Sequence, residues 1–345
     1  MTTTSDPPSS RLHSIIVVGS GGVGTIATLV LEKSRRARVT AVLRCRYAVV
    51  KEKGWNIDSV DHGKLAAWKP SRVVSTVTEA VEAETEPFDY IVVTTKQLPD
   101  IFSIPDIIRP AVTPGLTTVV LIQNGLDIEL PIIEAFPTNT VMSSISMIGS
   151  RTEGENGIFQ LGPDIQTIGP HFHDGLDRAV QLQKARQFVE IYTAGSKGAG
   201  AKDAEMTFSE DMPVARWQKL LWNSTFNTLC TLMDMNVGEL QSSGGRETLL
   251  IPAMWEIYAI AKAAGHPPPE EMIQIYAYRL PNDCPYRPSM LLDRDHRRPM
   301  ELEVLLGRPL QRAKELGVPT PVLSTVYEAL KMVRWKIEQE SGGMN

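Results

Sequence analysis

Ile15-Ile-Val-Val-Gly19-Ser20-Gly21-Gly22-Val23-Gly24 stands near the start of a chain of 345 residues, and its reading decides the fold. Four apolar residues suit a buried parallel strand. A G-x-G-x-x-G turn follows at once, and residues 25–33 read as a helix. Strand, glycine turn and helix in this order make the context that a dinucleotide fingerprint requires. Gly19 permits the tight turn, Gly21 lets the backbone approach a pyrophosphate, and Gly24 lets helix and strand pack closely. The helix N-terminus offers unpaired N–H groups and a partial positive charge to phosphates.

The next strand, residues 39–43, ends in Arg44-Cys45-Arg46. A dinucleotide with a free ribose 2′-OH favours Asp or Glu here, whereas Arg suits a 2′-phosphate. Arg44, with Arg46 in support, therefore points to NADP(H); the alternative is a pair of solvated surface arginines. Further strands are expected at residues 69–77, 90–95, 117–122 and 140–148, with a helix over 47–54. Such alternation predicts a parallel sheet covered on both faces. Ligands then bind beyond the carboxyl ends of the strands. Lys96 and Asn124 both fall at such ends and are site candidates. The competing readings are a solvated loop cation and a turn residue before Gly125. Residues 162–200 are expected to be loops around a helix over 176–192. His171 and His173 stand two apart in a Gly/Pro-rich loop without a further ligand cluster, so no metal is expected.

From Pro213 the pattern turns helical. Helices are expected over 214–233, 246–264, 270–279, 301–316 and 321–338. The first carries Lys219, Asn223 and Asn227, four residues apart and hence on one face. They form a polar stripe about 12 Å long at ~1.5 Å rise per residue, flanked by Trp217, Leu220, Leu221, Trp222, Phe226 and Leu229. A cation and two amides on an otherwise apolar helix are expensive to bury without partners. A ligand carrying a carbonyl and hydroxyl groups supplies such partners; an ordinary amphipathic helix with its wet side exposed is the plainer alternative. The domain expectation is a disordered N-terminus over 1–13, a nucleotide-binding domain over 14–208 and an all-helical domain over 209–345. Substrate is expected in the cleft between the two.

Composition narrows the class. Hydrophobic content of 42%, charged content of 22% and a net charge of −5 describe an ordinary soluble globular protein with no call for nucleic acid. Cys45, Cys230 and Cys284 are too few and too scattered for a disulfide framework, and fit a reducing, cytoplasmic compartment. No apolar run reaches the ~18 residues that span a bilayer, so no membrane partner is expected.

With these residues in view, the chain resembles the ketopantoate reductases (2-dehydropantoate 2-reductases) from Ile15 to about Leu330. The marks are Gly19-x-Gly21-x-x-Gly24 with Arg44; Lys96 after Val-Thr-Thr; Gln123-Asn124-Gly125; and Trp217-x-Lys219-x-x-x-Asn223-x-x-x-Asn227. Gly238-Glu-Leu240, Pro288-Ser289-Met290-Leu291-x-Asp293 with Glu301, and Gly317-Val-Pro-Thr-Pro321 complete them. The Lys-x-x-x-Asn pair alone is shared with the broader β-hydroxyacid dehydrogenases. The resemblance implies an α/β N-terminal Rossmann-type parallel sheet and an all-α C-terminal domain like that of 6-phosphogluconate dehydrogenase. It implies NADPH/NADP+ held by Gly19, Ser20, Gly21, Gly22, Val23, Gly24, Arg44, Lys96, Asn124 and Glu301. It implies a 2-oxo acid substrate held by Asn124, Asn223, Asn227, Ser289 and Tyr286, with Lys219 as proton donor and Glu301 orienting it or relaying protons. The plainer readings are a helix N-cap for Ser289 and a first-turn carboxylate for Glu301.

The implied reaction is reduction of ketopantoate to pantoate, a step of pantothenate biosynthesis, by an enzyme whose assembly as a homodimer is left open. Two departures bear on the substrate. Val237 stands where the family commonly has Asn before Gly-Glu-Leu, and Tyr286 stands where it has Asn three residues before the serine. The alternatives carried forward are a family paralogue acting on another 2-oxo or β-keto acid, and a non-catalytic NADP(H)-binding sensor.

Overall fold

Strand β1 (His13–Val18) pairs in parallel on both sides, with β2 (Ala37–Val42) and β6 (Tyr90–Val93), and is buried from Ser14 onward. A strand walled in on both faces needs no polar alternation, which is why Ile15-Ile-Val-Val18 reads as a continuous apolar run. In this computed structural model, which describes residues 11–196 and 203–342, the sheet extends in both directions from β1. Strands β5 (Arg72–Val74), β2, β1, β6, β7 (Thr118–Leu121) and β8 (Val141–Ser146) lie side by side and parallel, a Rossmann-type order. Strand β11 (Ile165–Pro170) adds antiparallel to β8, and β12 (Glu205–Phe208) adds parallel to β11. Helices α1 (Gly22–Lys33), α2 (Tyr47–Lys53), α3 (Val77–Glu82), α4 (Ile104–Ile108), α5 (Leu130–Ala135) and α6 (Arg178–Ser196) connect them.

A second sheet, ordered β4 (Gly63–Trp68), β3 (Trp55–Ser59), β10 (Gly157–Gln160) and β9 (Ser150–Glu153), is not announced by any apolar run. Its hairpins bury Trp55, Ile57 and Ile158 in the core and, beside them, polar residues that bond one another. Ser59 donates to Gln160 Oε1 at 2.6 Å, and Asp61 accepts from the Asp164 N–H at 2.9 Å. Asp164 also accepts from the Tyr192 hydroxyl at 3.0 Å, and burial raises its carboxyl to about 6. The same disguise explains a correction: residues 162–200 are not only loops around a helix. β11 lies among them, and its buried Gln166 accepts from the Ser144 hydroxyl at 2.7 Å. The helix runs on to Ser196; residues 197–202 lie outside the described residues.

Of the N-terminal stretch expected to be disordered, residues 1–10 lie outside the described residues. Arg11 pairs with Glu86 and Asp89, and His13 opens β1, so Arg11 and His13 are held in place. Among the described residues no helix is long and apolar enough to cross a membrane.

The chain divides into two units: Met1–Thr95, Pro105–Gln123 and Glu129–Glu210 make the first, and Lys96–Ile104, Asn124–Ile128 and Asp211–Asn345 the second. The second unit holds α7 (Met212–Asn223), α8 (Phe226–Met233), α9 (Val237–Ser242), α10 (Ile251–Ala263), α11 (Met272–Tyr278), α12 (Ser289–Asp295), α13 (Arg308–Leu316) and α14 (Pro321–Gly342). The helix expected over 214–233 is broken at Ser224-Thr225. There the Thr225 hydroxyl donates back to the Leu221 carbonyl at 2.5 Å and Ser224 donates to Leu305 O at 2.6 Å. Side chains of this kind compete with the helical ladder. The helices expected at 246 and 301 begin as π-helical turns, Arg246–Leu250 and Glu303–Gly307, before becoming α10 and α13.

Gly195 tests the packing of α6 on α1. A Cβ there would run into the Val30 carbonyl and come within 2.9 Å of the Ser34 nitrogen. Helix propensity alone favours Ala over Gly by about 1 kcal/mol. Backbone overlap wins here, and Gly195→Ala is expected to destabilise by about 1–3 kcal/mol. Urea unfolding followed by circular dichroism gives the sign; a stabilised variant would mean that α1 and α6 separate without penalty.

Candidate active site

The glycine turn of the first unit has the shape a dinucleotide needs. Gly19 has φ +117°, and a Cβ on it would come within 2.8 Å of the Thr95 nitrogen. A Cβ on Gly24 would collide with Thr94 Oγ1 and the Gly19 carbonyl, so helix and strand meet through hydrogen atoms. Around Gly21, by contrast, a Cβ would meet nothing within 4 Å. Gly21 is also the N-cap of α1, with no side-chain cap and no acidic residue in the first turn. The space beside Gly21, at the uncapped start of α1, is thus open to an anion. Arg44, just past β2, is exposed and has no partner among the described residues, whereas Arg46 donates to the Glu155 carbonyl at 3.0 Å. The cradle and the free guanidinium fit a phosphorylated dinucleotide. His171 and His173 are engaged elsewhere, with Ser143 Oγ at 2.8 Å and the Asn139 carbonyl at 3.0 Å.

The chemistry-bearing side chains of the second unit converge from four segments. Lys96 and Asn124 leave strand ends of the first unit's sheet but belong to the helical unit. Lys96 pairs with Asp293 of α12 and donates to the Pro299 carbonyl at 3.1 Å. Asp293 also receives Arg298 Nε at 3.2 Å. Burial still pushes the Asp293 carboxyl up, against the pull of these two cations. Glu301 accepts from the Gln97 N–H at 2.8 Å and from the Asn124 side chain. Burial raises its pKa too, opposed by those hydrogen bonds and by Lys96.

Lys219 lies on α7 near this carboxylate. Burial, and then the charge of Arg216 one turn away, bring its ammonium down to about 7, with Glu301 pulling the other way. Lys219 is only half-buried as a residue; the desolvation falls on its ammonium end. Beyond it, Asn223 and Asn227 are buried, and Asn227 Nδ2 donates to Asn223 Oδ1 at 3.3 Å. Asn223 Nδ2 and Asn227 Oδ1 are buried without hydrogen-bond partners. The stripe survives the break between α7 and α8, and it presents one free donor and one free acceptor. Such atoms are costly unless a ligand meets them.

Ser289 and Tyr286 are placed differently. Ser289 is exposed and is the first residue of α12; the N-cap is Pro288, so Ser289 does not cap the helix. Glu301 stands just before the helical segment that opens at Leu302, not within its first turn. Tyr286 is 40% exposed, with its ring 6.3 Å from that of Trp222, which in turn lies 4.2 Å from Phe226. The Tyr286 carbonyl accepts from the Val237 N–H at 2.9 Å. Val237 is fully buried, and the neighbouring Asn236 is occupied by a capping box with Glu239. The cap takes the Asn236 side-chain oxygen and backbone N–H, and Val237 has no polar side-chain atom. Gly238 is fixed for another reason: a Cβ on it would meet the backbone of residues 282–284 at 2.7–2.8 Å.

Sequence reasoning did not foresee Gln97 or the effect of Arg216. The Gln97 contribution is a backbone N–H and has no sequence signal. Arg216 was detectable, because residues three apart on a helix share a face.

Comparison with known proteins bears on this geometry. Residues 15–172 match the model of the ketopantoate reductase PanE/ApbA family, and residues 211–334 match the model of its C-terminal domain. A protein of Saccharomyces cerevisiae described as uncharacterized is 36% identical over 96% of both chains. The 2-dehydropantoate 2-reductase of a Nostoc species is 30% identical over 215 residues, 62% of this chain and 65% of that one. The crystal structure of 2-dehydropantoate 2-reductase from Methylococcus capsulatus superposes with a TM-score of 0.77 at 29% identity, covering 94% of this chain and 97% of that one.

The depressed Lys219 has a consequence for stability. Folded, it loses its proton near pH 7; unfolded, it keeps it to the ordinary value of 10.5. Between those values the unfolded chain binds more protons, so stability rises with pH through this residue. Its destabilising effect is full below pH 7 and gone above about pH 10.5. Lys219→Met should therefore be more favourable at pH 6 than at pH 10, by about 2–4 kcal/mol. Urea midpoints at the two pH values measure this; equal effects would show that the ammonium is solvated.

Proposed function

We propose, from the premise that this chain belongs to the ketopantoate reductase family, that it reduces a 2-oxo acid to the 2-hydroxy acid with NADPH, ketopantoate being the leading substrate. Membership and fold make it an NAD(P)-dependent oxidoreductase. The observation that carries the finer reading is the ammonium of Lys219, held near pKa 7 beside a buried carboxylate and two unpartnered amide atoms.

Bound nicotinamide supplies the hydride. Lys219 donates a proton to the carbonyl oxygen as it becomes an alkoxide, and a group whose pKa lies near the working pH is suited to that transfer. Glu301, fixed by the Gln97 N–H and Asn124, holds the ammonium in place. Asn223 Nδ2 and Asn227 Oδ1 meet an acceptor and a donor on the substrate. Arg44 receives the 2′-phosphate and sets the preference for NADPH over NADH. A sensor that binds NADP(H) without turnover has no use for a buried proton donor, and the retention of Lys219 with Glu301 argues against it.

The test is NADPH oxidation over a panel of 2-oxo acids. Turnover should prefer NADPH to NADH, and Arg44→Asp should erase that preference. Lys219→Ala should lower kcat by ~10²–10⁴-fold, the range of a positioned proton donor, while NADPH affinity holds. Binding without turnover of any 2-oxo acid would establish the sensor instead.

Substrate selectivity is a separate expectation. Val237 is buried and apolar, and the cap occupies the Asn236 side-chain oxygen, so the distal end of the substrate has fewer amide partners than the family pattern provides. An unpaired hydroxyl in a desolvated site costs about 1–3 kcal/mol. The ratio of kcat/KM for ketopantoate over 3,3-dimethyl-2-oxobutanoate, which differs only in lacking the terminal hydroxyl, should accordingly stay well below ~10⁴, the level that a site built to bond a hydroxyl reaches. A ratio at or above it would mean that Asn223, Asn227 and Tyr286 suffice.

A further inference from the structure

The edge of the second sheet reaches the dinucleotide turn. Strand β9 begins at Ser150, and a Cβ on Gly22 would come within 2.8 Å of the Arg151 nitrogen, the Ser150 carbonyl carbon and Ser150 Oγ. Gly22 is the first residue of α1. It is not one of the three fingerprint glycines, and β9 supplies the reason it must lack a side chain. Ser150 Oγ is inaccessible to solvent and has no hydrogen-bond partner. A buried hydroxyl left unpaired is destabilising, so its position beside an uncapped helix N-terminus calls for an acceptor.

The strand pairing points the same way. Leu161 N–H donates to the Gly149 carbonyl at 2.8 Å, and Ser150 lies opposite Gln160. In an antiparallel ladder hydrogen-bonded pairs alternate with non-bonded ones. Ser150 therefore occupies a non-bonded pair, with its own N–H turned away from β10. Because β9 is the outer strand of its sheet, no further strand takes that N–H. A hydroxyl and an edge of free backbone thus stand over the first turn of α1, where the N–H groups already favour an anion.

We propose that Ser150 completes the pyrophosphate cradle, its hydroxyl donating to a phosphate oxygen of the bound dinucleotide. The inference rests on the dinucleotide reading of the first unit and adds a positioning residue from a different sheet. It also gives that sheet a role: β9 closes over the turn that β1 and α1 build.

Ser150→Ala removes the donor and keeps the bulk against Gly22, so the comparison isolates the hydrogen bond. Equilibrium binding, followed by calorimetry, should use NADPH, 2′-phospho-ADP-ribose and 2′-AMP. The wild-type protein should bind all three. Ser150→Ala should weaken NADPH and 2′-phospho-ADP-ribose alike by about 10–100-fold, as loss of one charge-assisted hydrogen bond does. The affinity for 2′-AMP, which has no pyrophosphate, should not change. Ser150→Cys, a weak donor of similar size, should fall near Ala, and unchanged thermal midpoints would show that both variants are folded. Loss for NADPH alone would place the hydroxyl at the nicotinamide end and overturn the proposal, as would equal loss for all three ligands or no loss at all. A wild-type protein that binds none of them would instead sink the functional reading on which the proposal rests.

Discussion

Taking the Lys219 ammonium out of water is the constraint around which the helical unit is arranged. A buried cation is costly, and a single carboxylate beside it repays that cost only if its own hydrogen bonds are satisfied. Here the carboxylate is Glu301, which is held by a backbone N–H from Gln97 and an amide from Asn124. Those partners come from segments that leave the ends of sheet strands, so the unit needs both excursions to satisfy one side chain. Lys96, on the same excursion as Gln97, is neutralised by Asp293, which Arg298 also holds. Positive and negative groups thus alternate through the cluster. Arg216 breaks the balance on the side of Lys219 and helps bring its pKa toward neutrality. The result is a group poised to exchange a proton.

The irregular backbone around this cluster follows from the same demand. Helix α13 begins as a π-helical turn at Glu303–Gly307, immediately after Glu301. Turns of this kind often mark functional sites, where a residue must be displaced from the ordinary helical register. The turn is held from two directions. Leu126 N–H donates to the Val304 carbonyl at 2.9 Å, and Ser224 donates to the Leu305 carbonyl at 2.6 Å. Ser224 is also where α7 gives way to α8. Gly125 is required in this arrangement, since at φ +113° a Cβ would lie 2.5 Å from that of Val304. The Asn124-Gly125 pair is therefore more than a turn: Asn124 serves Glu301 while Gly125 admits the helix.

The first unit solves a different problem, that of bringing backbone close to an anion. Its parallel strands are buried on both faces, and its glycines remove every Cβ between β1, α1 and Thr94. The second sheet is attached through a buried polar network, Asp61 with Asp164 and Asp164 with Tyr192 of α6, as well as through apolar packing. Networks of this sort specify one arrangement because a half-satisfied member is costly. The position of β9 over α1 follows from that attachment.

How much of this was legible beforehand can be judged residue by residue. Ile15–Gly24 determined the Rossmann-type turn without help, because tight turns and close packing admit only glycine and strands buried on both faces favour apolar residues. The spacing of Lys219, Asn223 and Asn227 was enough to predict one polar face, because the helical period is a local property of the backbone. It did not reveal the break at Ser224-Thr225, which depends on the carbonyl of Leu305, 81 residues away in sequence. Lys96, Asn124 and Glu301 could be named as candidates and Asp293 as part of a motif, yet their pairing could not be. Charge pairs between residues nearly 200 positions apart leave no trace in spacing. The second sheet escaped notice because its strands are short and its few buried apolar residues, Trp55, Ile57 and Ile158, alternate with polar ones such as Ser59 and Gln160, whose partners only the folded chain brings together. The sequence named the candidate groups for the chemistry, through local geometry. Tertiary structure decided their protonation and their neighbours, because desolvation and Coulombic coupling depend on distances that only the packed chain defines.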